Sequence, residues 1–332
     1  MRNKHIPFLL KPAAKDYLWG GSRLNDDFGK EINISPLAET WECSTHPDGL
    51  SVIATGIHAG KTLADVLEEC PAYLGSHPLK TMDGRAELPI LIKLIDARQD
   101  LSVQVHPDDD YALRCEGSLG KTEMWYVLAA KKGAEIVYGF NQDVNESTIN
   151  KAISSGTINN FLNHVPVHKD DLFYIEAGTV HAIGRGAMIA EIQESSNITY
   201  RLYDYNRIDK NGSRRKLHVA KALQVMNMKS SAEPRQPMRI LRYQKGCARE
   251  LLTRCKYFQV ERLLLNTETC RLLVNYKTGS NSFHALLCVE GCGVLFGEEF
   301  MLNLFKGDCV FVPADSIPLQ LHGKAQLLDV SC

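Results

Sequence analysis

Four residues set the chemical question. Gln104 and His106 stand two apart in LSVQVHP (101–107), Glu123 opens EMWYVL (123–128), and His181 follows the small-residue turn Ala177-Gly178-Thr179-Val180. If 101–107 is a strand, alternation puts Gln104 and His106 on one face and Val103 and Val105 on the other. Two imidazoles, one carboxylate and one amide oxygen, all at strand ends, can converge on a single ion. That set suits zinc with an open position for substrate. Two histidines and a carboxylate are also the ligands of non-haem iron oxygenases, so spacing alone admits iron. A lone histidine on an apolar face is more often a core residue, and the chain has 11 histidines. The combination carries the expectation, not any one member. No HExxH pair is present, which argues against a zincin peptidase.

Such a set needs strands to hold it. Runs at 88–95, 125–129, 135–138, 171–175, 286–289, 293–296 and 309–312 are rich in β-branched and aromatic residues and bounded by turn formers. Their spacing predicts a mainly β chain of antiparallel jelly-roll barrels with short helical segments. Helical periodicity marks 62–69, 145–162 (broken near Ser154-Ser155-Gly156 into two short helices) and 218–226. Residues 231–240 are polar with two prolines and read as a linker. DDLFYIEAGTVH (170–181) aligns without a gap on GDCVFVPADSIP (307–318), with Pro318 in place of His181. We therefore expect two related barrels, 1–230 with metal chemistry and a helical insert at about 141–163, and 241–332 without metal ligands.

The chain has 332 residues, enough for about two domains. Its formal net charge of −1 gives no electrostatic reason to expect nucleic acid or an anionic membrane as partner. No stretch approaches the roughly 18 apolar residues of a membrane span. The apolar run Phe8-Leu9-Leu10 is too short for a signal-peptide core, so a cytoplasmic location with ten reduced cysteines is expected. Cys288 and Cys292 are read as structural, with a turn at Gly291 and Gly293. GIHAGKT (56–62) and GSLGKT (117–122) fall one and two residues short of a phosphate loop, and no GxGxxG is present, so nucleotide binding is not expected.

A family pattern then emerges. YLWGG (17–21), ETWE (39–42), PILIK (89–93), LSVQVHPD (101–108), GKTEMWYVL (120–128), AGTVHAIG (177–184) and YRLYD (200–204) occur in one order over the first two-thirds of the chain. Together they resemble type I mannose-6-phosphate isomerases, especially the short bacterial class of this cupin family. The resemblance implies two cupin domains and one zinc ion per chain on Gln104, His106, Glu123 and His181. It implies a central arginine at Arg201, further active-site residues at Lys93, Lys121 and Glu191, and phosphate contacts at Ser102 and Arg207. The partner implied is a small sugar phosphate; the chain itself is expected as a monomer or weak homo-oligomer. Asn197 stands where longer members carry an aspartate, the 181–191 segment is one residue longer, and the helical insert is reduced.

The chemistry implied is an aldose–ketose isomerisation through an enediol, which moves a very weakly acidic C–H proton. A metal that polarises the neighbouring oxygens lowers that barrier by several kcal/mol. With three neutral ligands, Glu123 neutralises only one of zinc's two charges. Arg201 offers a permanently charged fork of donors for oxyanion or phosphate, or else it pairs with Asp204 or Asp209. The base stays open between Glu191 with a pKa raised by burial, a deprotonated Lys93, and a zinc-linked water. Glu191 has a second reading, a hydrogen bond that orients a ligand histidine. Lys121 is a substrate contact or a partner of the zinc carboxylate. An iron-dependent oxygenase and a non-enzymatic sugar-binding cupin are the rival functions.

Overall fold

The computed structural model describes residues 5–208, 212–232, 234, 240–270 and 272–332. Most of the expected linker, at 233 and 235–239, lies outside the described residues, as does Asp209. The fold is mainly β, built from three antiparallel sheets.

A six-stranded sheet runs in the order Leu172–Ile175, Glu123–Ala130, Ala187–Glu194, Ile90–Asp96, Glu39–Cys43 and Ala13–Lys15. A five-stranded sheet runs Tyr200–Tyr203, Val103–Val105, His181–Ile183, Glu135–Phe140 and Leu162–Pro166. A core of Trp125, Phe173, Ile95, Ile189, Ile136 and Ile183, drawn from both sheets, packs between them. This is the sandwich that alternating apolar patterning predicts, with its buried face inward. The third sheet has ten strands and holds the C-terminal elements Cys247–Arg254, Gln259–Asn266, His284–Gly297, Cys309–Val312 and Leu319–Ser331. Phe8–Lys11 joins that sheet by pairing with Cys309–Val312, and Val52–Ile53 extends it. Strands from near the N-terminus thus complete the sheet of the C-terminal unit.

The strand Ile90–Asp96 is buried at every position, which explains its unbroken apolar reading. Ile92 and Leu94 pack into a second core with Phe258, Phe283, Phe311 and Val330 of the C-terminal unit. Lys93, alternating with them, points the other way, into the sandwich. A charged side chain in such a strand needs a local partner, and this one has it, as described below.

Two local differences from the sequence reading have physical causes. The turn expected at Gly291 and Gly293 is instead a bulge inside one continuous strand, His284–Gly297, with a register shift between Cys288 and Glu290. Gly291 has φ +76° and a Cβ there would meet Lys324 O at 2.1 Å, so glycine serves close strand approach rather than chain reversal. The helix Asp109–Glu116 went unread. Its signals were the Asp108 N-cap, which accepts from the Tyr111 amide, and Gly117 in the left-handed region at its end. The expected insert does form two short helices, Glu146–Ser154 capped by Asn145 and the 3₁₀ turn Ile158–Phe161, and Val219–Val225 is helical.

Candidate active site

Two rows of side chains, one per sheet, face each other across the sandwich. On the five-stranded sheet Arg201, Gln104 and His181 are direct cross-strand neighbours. Direct neighbours share a face, so all three project to the same side. His106 follows two residues after Gln104, just past the strand end. On the six-stranded sheet the row is Trp41, Lys93, Glu191 and Trp125. Glu123, two residues before Trp125, shares its face.

Between the rows His106, Glu123 and His181 come together, with their ligand atoms within 4.8 Å of one another and all three residues buried. His106 Nδ1–H donates to the Ile198 carbonyl (2.7 Å) and His181 Nδ1–H to the Thr179 carbonyl (2.8 Å). These bonds select the tautomer with a lone pair on Nε2 and aim both Nε2 atoms at Glu123, at 3.7 and 3.4 Å. Burial, aided by the Lys121 charge, pushes His106 well below the usual imidazole value and His181 to about 4, so both rings are neutral near pH 7. Among the described residues, no donor meets hydrogen-bond geometry at either Glu123 carboxylate oxygen. Lys121 Nζ lies 3.3 Å from Oε2 as an ion-pair partner. Burial, reinforced by Glu191, raises the Glu123 carboxyl to about 7. A fully buried carboxyl with two orphaned oxygens, opposite two imidazole lone pairs, fits a divalent cation: such groups are otherwise costly. Gln104 accepts from Ser102 Oγ through Oε1 (3.3 Å) and turns its amide nitrogen to His181 Nε2 (3.4 Å). Half a turn of the amide exchanges its oxygen and nitrogen.

Next to this cluster lies a cleft of about 140 Å³ lined by Lys93, Ser102, Gln104, Lys121, Glu191 and Arg201, with Tyr17, Glu39, Asn197 and Arg215 on its walls. Lys93 Nζ is 3.0 Å from Glu191 Oε1 and 3.9 Å from Glu39 Oε2. Burial works against the Lys93 charge, but Glu191 and Glu39 outweigh it and hold Lys93 above its ordinary value. Burial likewise favours a neutral Glu191, yet Lys93, Lys121 and the Trp125 indole N–H (2.9 Å) hold it down at about 2. The two conditions posed from sequence are thus reversed: Glu191 is ionised rather than raised towards neutrality, and Lys93 is protonated. Among the described residues Glu191 bonds no histidine; its partners there are Lys93 and Trp125.

Arg201 has a buried Nε without an acceptor among the described residues, and its pKa is lowered by burial and by Arg215. It does not form the ion pair with Asp204 that its sequence position allowed. Asp204 is taken instead by Arg207 and by Arg215, whose Nε donates at 2.7 Å. Arg207 also donates to the Asp100 carbonyl (2.5 Å) and is not among the residues that line the cleft. Arg215, which does line it, was missed. Its only signal was the basic run RRK (214–216), which does not say which member turns inward. Asn197 reaches the Asp48 carboxylate (2.7 Å) at the rim.

The chain matches two family models: phosphomannose isomerase type I, catalytic domain, over residues 8–144, and mannose-6-phosphate isomerase, cupin domain, over residues 249–332. It is 36% identical over 327 residues to mannose-6-phosphate isomerase ManA of Bacillus subtilis, covering 97% of this chain and 98% of the relative. It is 40% identical over 222 residues to a mannose-6-phosphate isomerase of Streptococcus mutans, covering 67% of this chain and 68% of the relative. In three dimensions it superposes on the crystal structure of the mannose 6-phosphate isomerase from Bacillus subtilis with a TM-score of 0.88, at 34% identity and with 98% and 99% of the two chains covered.

Proposed function

The chain belongs to the type I mannose-6-phosphate isomerase family, and from that premise we propose that it interconverts mannose 6-phosphate and fructose 6-phosphate with one zinc ion. The observation that carries the proposal is the buried His106–Glu123–His181 cluster opening onto a cleft walled by Lys93, Lys121, Arg201 and Arg215. Four cations against Glu39 and Glu191 favour an anionic substrate.

His106, Glu123, His181 and, through its amide oxygen, Gln104 would hold the zinc. When bound, it polarises the sugar oxygens and favours an enediolate. Arg201, Arg215 and Ser102 take the phosphate, for which arginine forks are well matched. Glu191, ionised and facing the cleft, accepts the proton from C2 and returns it to C1 of the enediol, while the O2 hydroxyl proton passes to O1. Lys93, kept charged 3.0 Å away, offsets the negative charge that develops on oxygen. Lys121 bridges the halves, since its Nζ lies 3.3 Å from both His106 Nε2 and Glu123 Oε2. Arg207 acts one step back, by fixing Asp204 and through it Arg215.

The unit 1–230, with the 141–163 insert, carries this chemistry; 241–332 carries no metal ligands. A cytoplasmic site of action is supported by ten free thiols. No helix among the described residues is long and apolar enough to cross a membrane.

The test is metal analysis of the purified protein together with a mannose 6-phosphate isomerase assay, before and after chelation. Zinc near one per chain, loss of turnover on chelation and recovery with zinc are expected. Oxygen consumption with activity lost under anaerobic conditions would mark an iron oxygenase. Binding of the sugar phosphate without turnover would mark a carbohydrate-binding cupin.

A further inference from the structure

The segment Gly120-Lys121-Thr122 delivers Lys121 and Glu123 to the centre, and each of its three amides is tied down. Gly120 N–H donates to Asp109 Oδ1 (3.1 Å), Lys121 N–H to the Pro107 carbonyl (3.0 Å) and Thr122 N–H to Glu194 Oε1 (2.6 Å). The segment lies hard against the start of the helix Asp109–Glu116: a Cβ on Gly120 would stand 2.6 Å from the Asp108 carbonyl carbon and the Asp109 nitrogen. Two of the three acceptors are carboxyl groups, and their side chains lie within reach of each other. Asp109 in turn accepts from Tyr257 Oη (2.8 Å) and Lys256 Nζ (3.1 Å), both from the C-terminal unit.

We propose that Asp109, Glu194 and Tyr257 form a hydrogen-bonded brace by which the C-terminal unit holds the 120–122 backbone, and with it Lys121, in register with the catalytic centre. These are positioning residues: none lines the substrate cleft. The brace gives the second cupin unit a part in the reaction and rests on the isomerase reading above.

The proton count is consistent. Burial raises the Glu194 carboxyl to about 8 against the pull of the Thr122 amide. Burial also acts on Asp109, but the bonds from Glu194, Tyr257, Gly120 and Lys256 outweigh it and keep Asp109 below its ordinary value. One proton therefore sits between the pair. Glu194 donates through its O–H to Asp109 and accepts from Thr122 through its carbonyl oxygen. A glutamine reproduces both bonds, with NH₂ towards Asp109 and Oε1 towards Thr122. An alanine reproduces neither.

The experiment compares wild type, Glu194→Gln, Glu194→Ala and Tyr257→Phe. Each is measured for zinc content, kcat, KM and, in the metal-free protein, amide hydrogen exchange across 120–123. Glu194→Ala should lose about tenfold or more in kcat, exchange faster at 120–123, and change KM little. Glu194→Gln should restore kcat to within about twofold of wild type and restore protection. Tyr257→Phe, which removes one oxygen and provides a result even if the alanine variant does not fold, should lose roughly fivefold in kcat with the same local loss of protection. Wild-type kcat and exchange in Tyr257→Phe, or a glutamine variant as impaired as the alanine one, would overturn the brace. An inactive wild type would instead count against the isomerase reading itself.

Discussion

Glu191→Gln separates the structural and the chemical roles of one carboxylate. The change keeps side-chain length and the hydrogen bond from Trp125 Nε1, but removes the anion 3.0 Å from Lys93 Nζ. Both partners are only 5% exposed. Removing one member of a buried ion pair leaves the other charge uncompensated, typically at a cost of about 3–5 kcal/mol. Here Glu39 remains, 3.9 Å from the ammonium, so the lower end applies: about 3 kcal/mol. For a chain of 332 residues that corresponds to a fall in Tm of roughly 4 °C. Lys93 should also titrate lower in the variant, because Glu191 is the largest of its stabilising neighbours. Turnover should fall by about 10²–10⁴, the usual worth of a positioned general base, while zinc content stays unchanged. Differential scanning calorimetry, metal analysis and the isomerase assay read the three quantities. Adding Lys93→Met to the variant should recover part of the lost stability and none of the turnover, because the unpaired ammonium is gone while Glu39 keeps only its bond from Trp41 Nε1 and the proton acceptor is not restored. A Glu191→Gln protein with wild-type turnover would refute the proton-transfer role. An unchanged Tm would refute the view that this pair neutralises a costly buried charge.

Other outcomes follow from the same geometry. Arg201→Ala should fold, keep its zinc and lose most turnover; wild-type kcat in that variant would remove Arg201 from the centre. Arg215→Ala should raise KM for mannose 6-phosphate by about tenfold or more, as expected for loss of a charged hydrogen bond to phosphate. Arg207→Ala should be milder, because Arg207 acts through Asp204, and steady-state kinetics would expose the reverse order. In the C-terminal sheet, His284 is partly buried, which disfavours its charge. Asp329, bonded at 2.6 Å, outweighs that and raises its pKa. Its contribution to stability is therefore complete below the unfolded histidine value near ~6.5 and fades as pH rises through the higher folded value. Melts of wild type and His284→Gln should differ most at acid pH and converge as pH rises; a gap that widens with pH would contradict this.

Much of the site could be read from spacing because strand alternation is rigid. Gln104 and His106 share a face for the same reason that Val103 and Val105, both fully buried on the opposite side, share theirs. The jelly-roll class was equally legible, since short β-rich runs between turn formers leave few alternatives. The close approach at Gly291 and the helix Asp109–Glu116 were not, because each depends on a neighbouring strand or a cap that periodicity does not register.

By itself, then, the sequence determined residue types, their faces and the family pattern that groups them, because these depend on local period and identity. Only the tertiary structure decided the ionisation states and the pairings. Glu191 and Lys93 are charged because adjacent strands set them side by side across a sheet, and of the two arginines bonded to Asp204 only Arg215 lines the cleft. Those outcomes depend on distances between segments remote in the chain and on the water excluded between them, and neither quantity is encoded in local order.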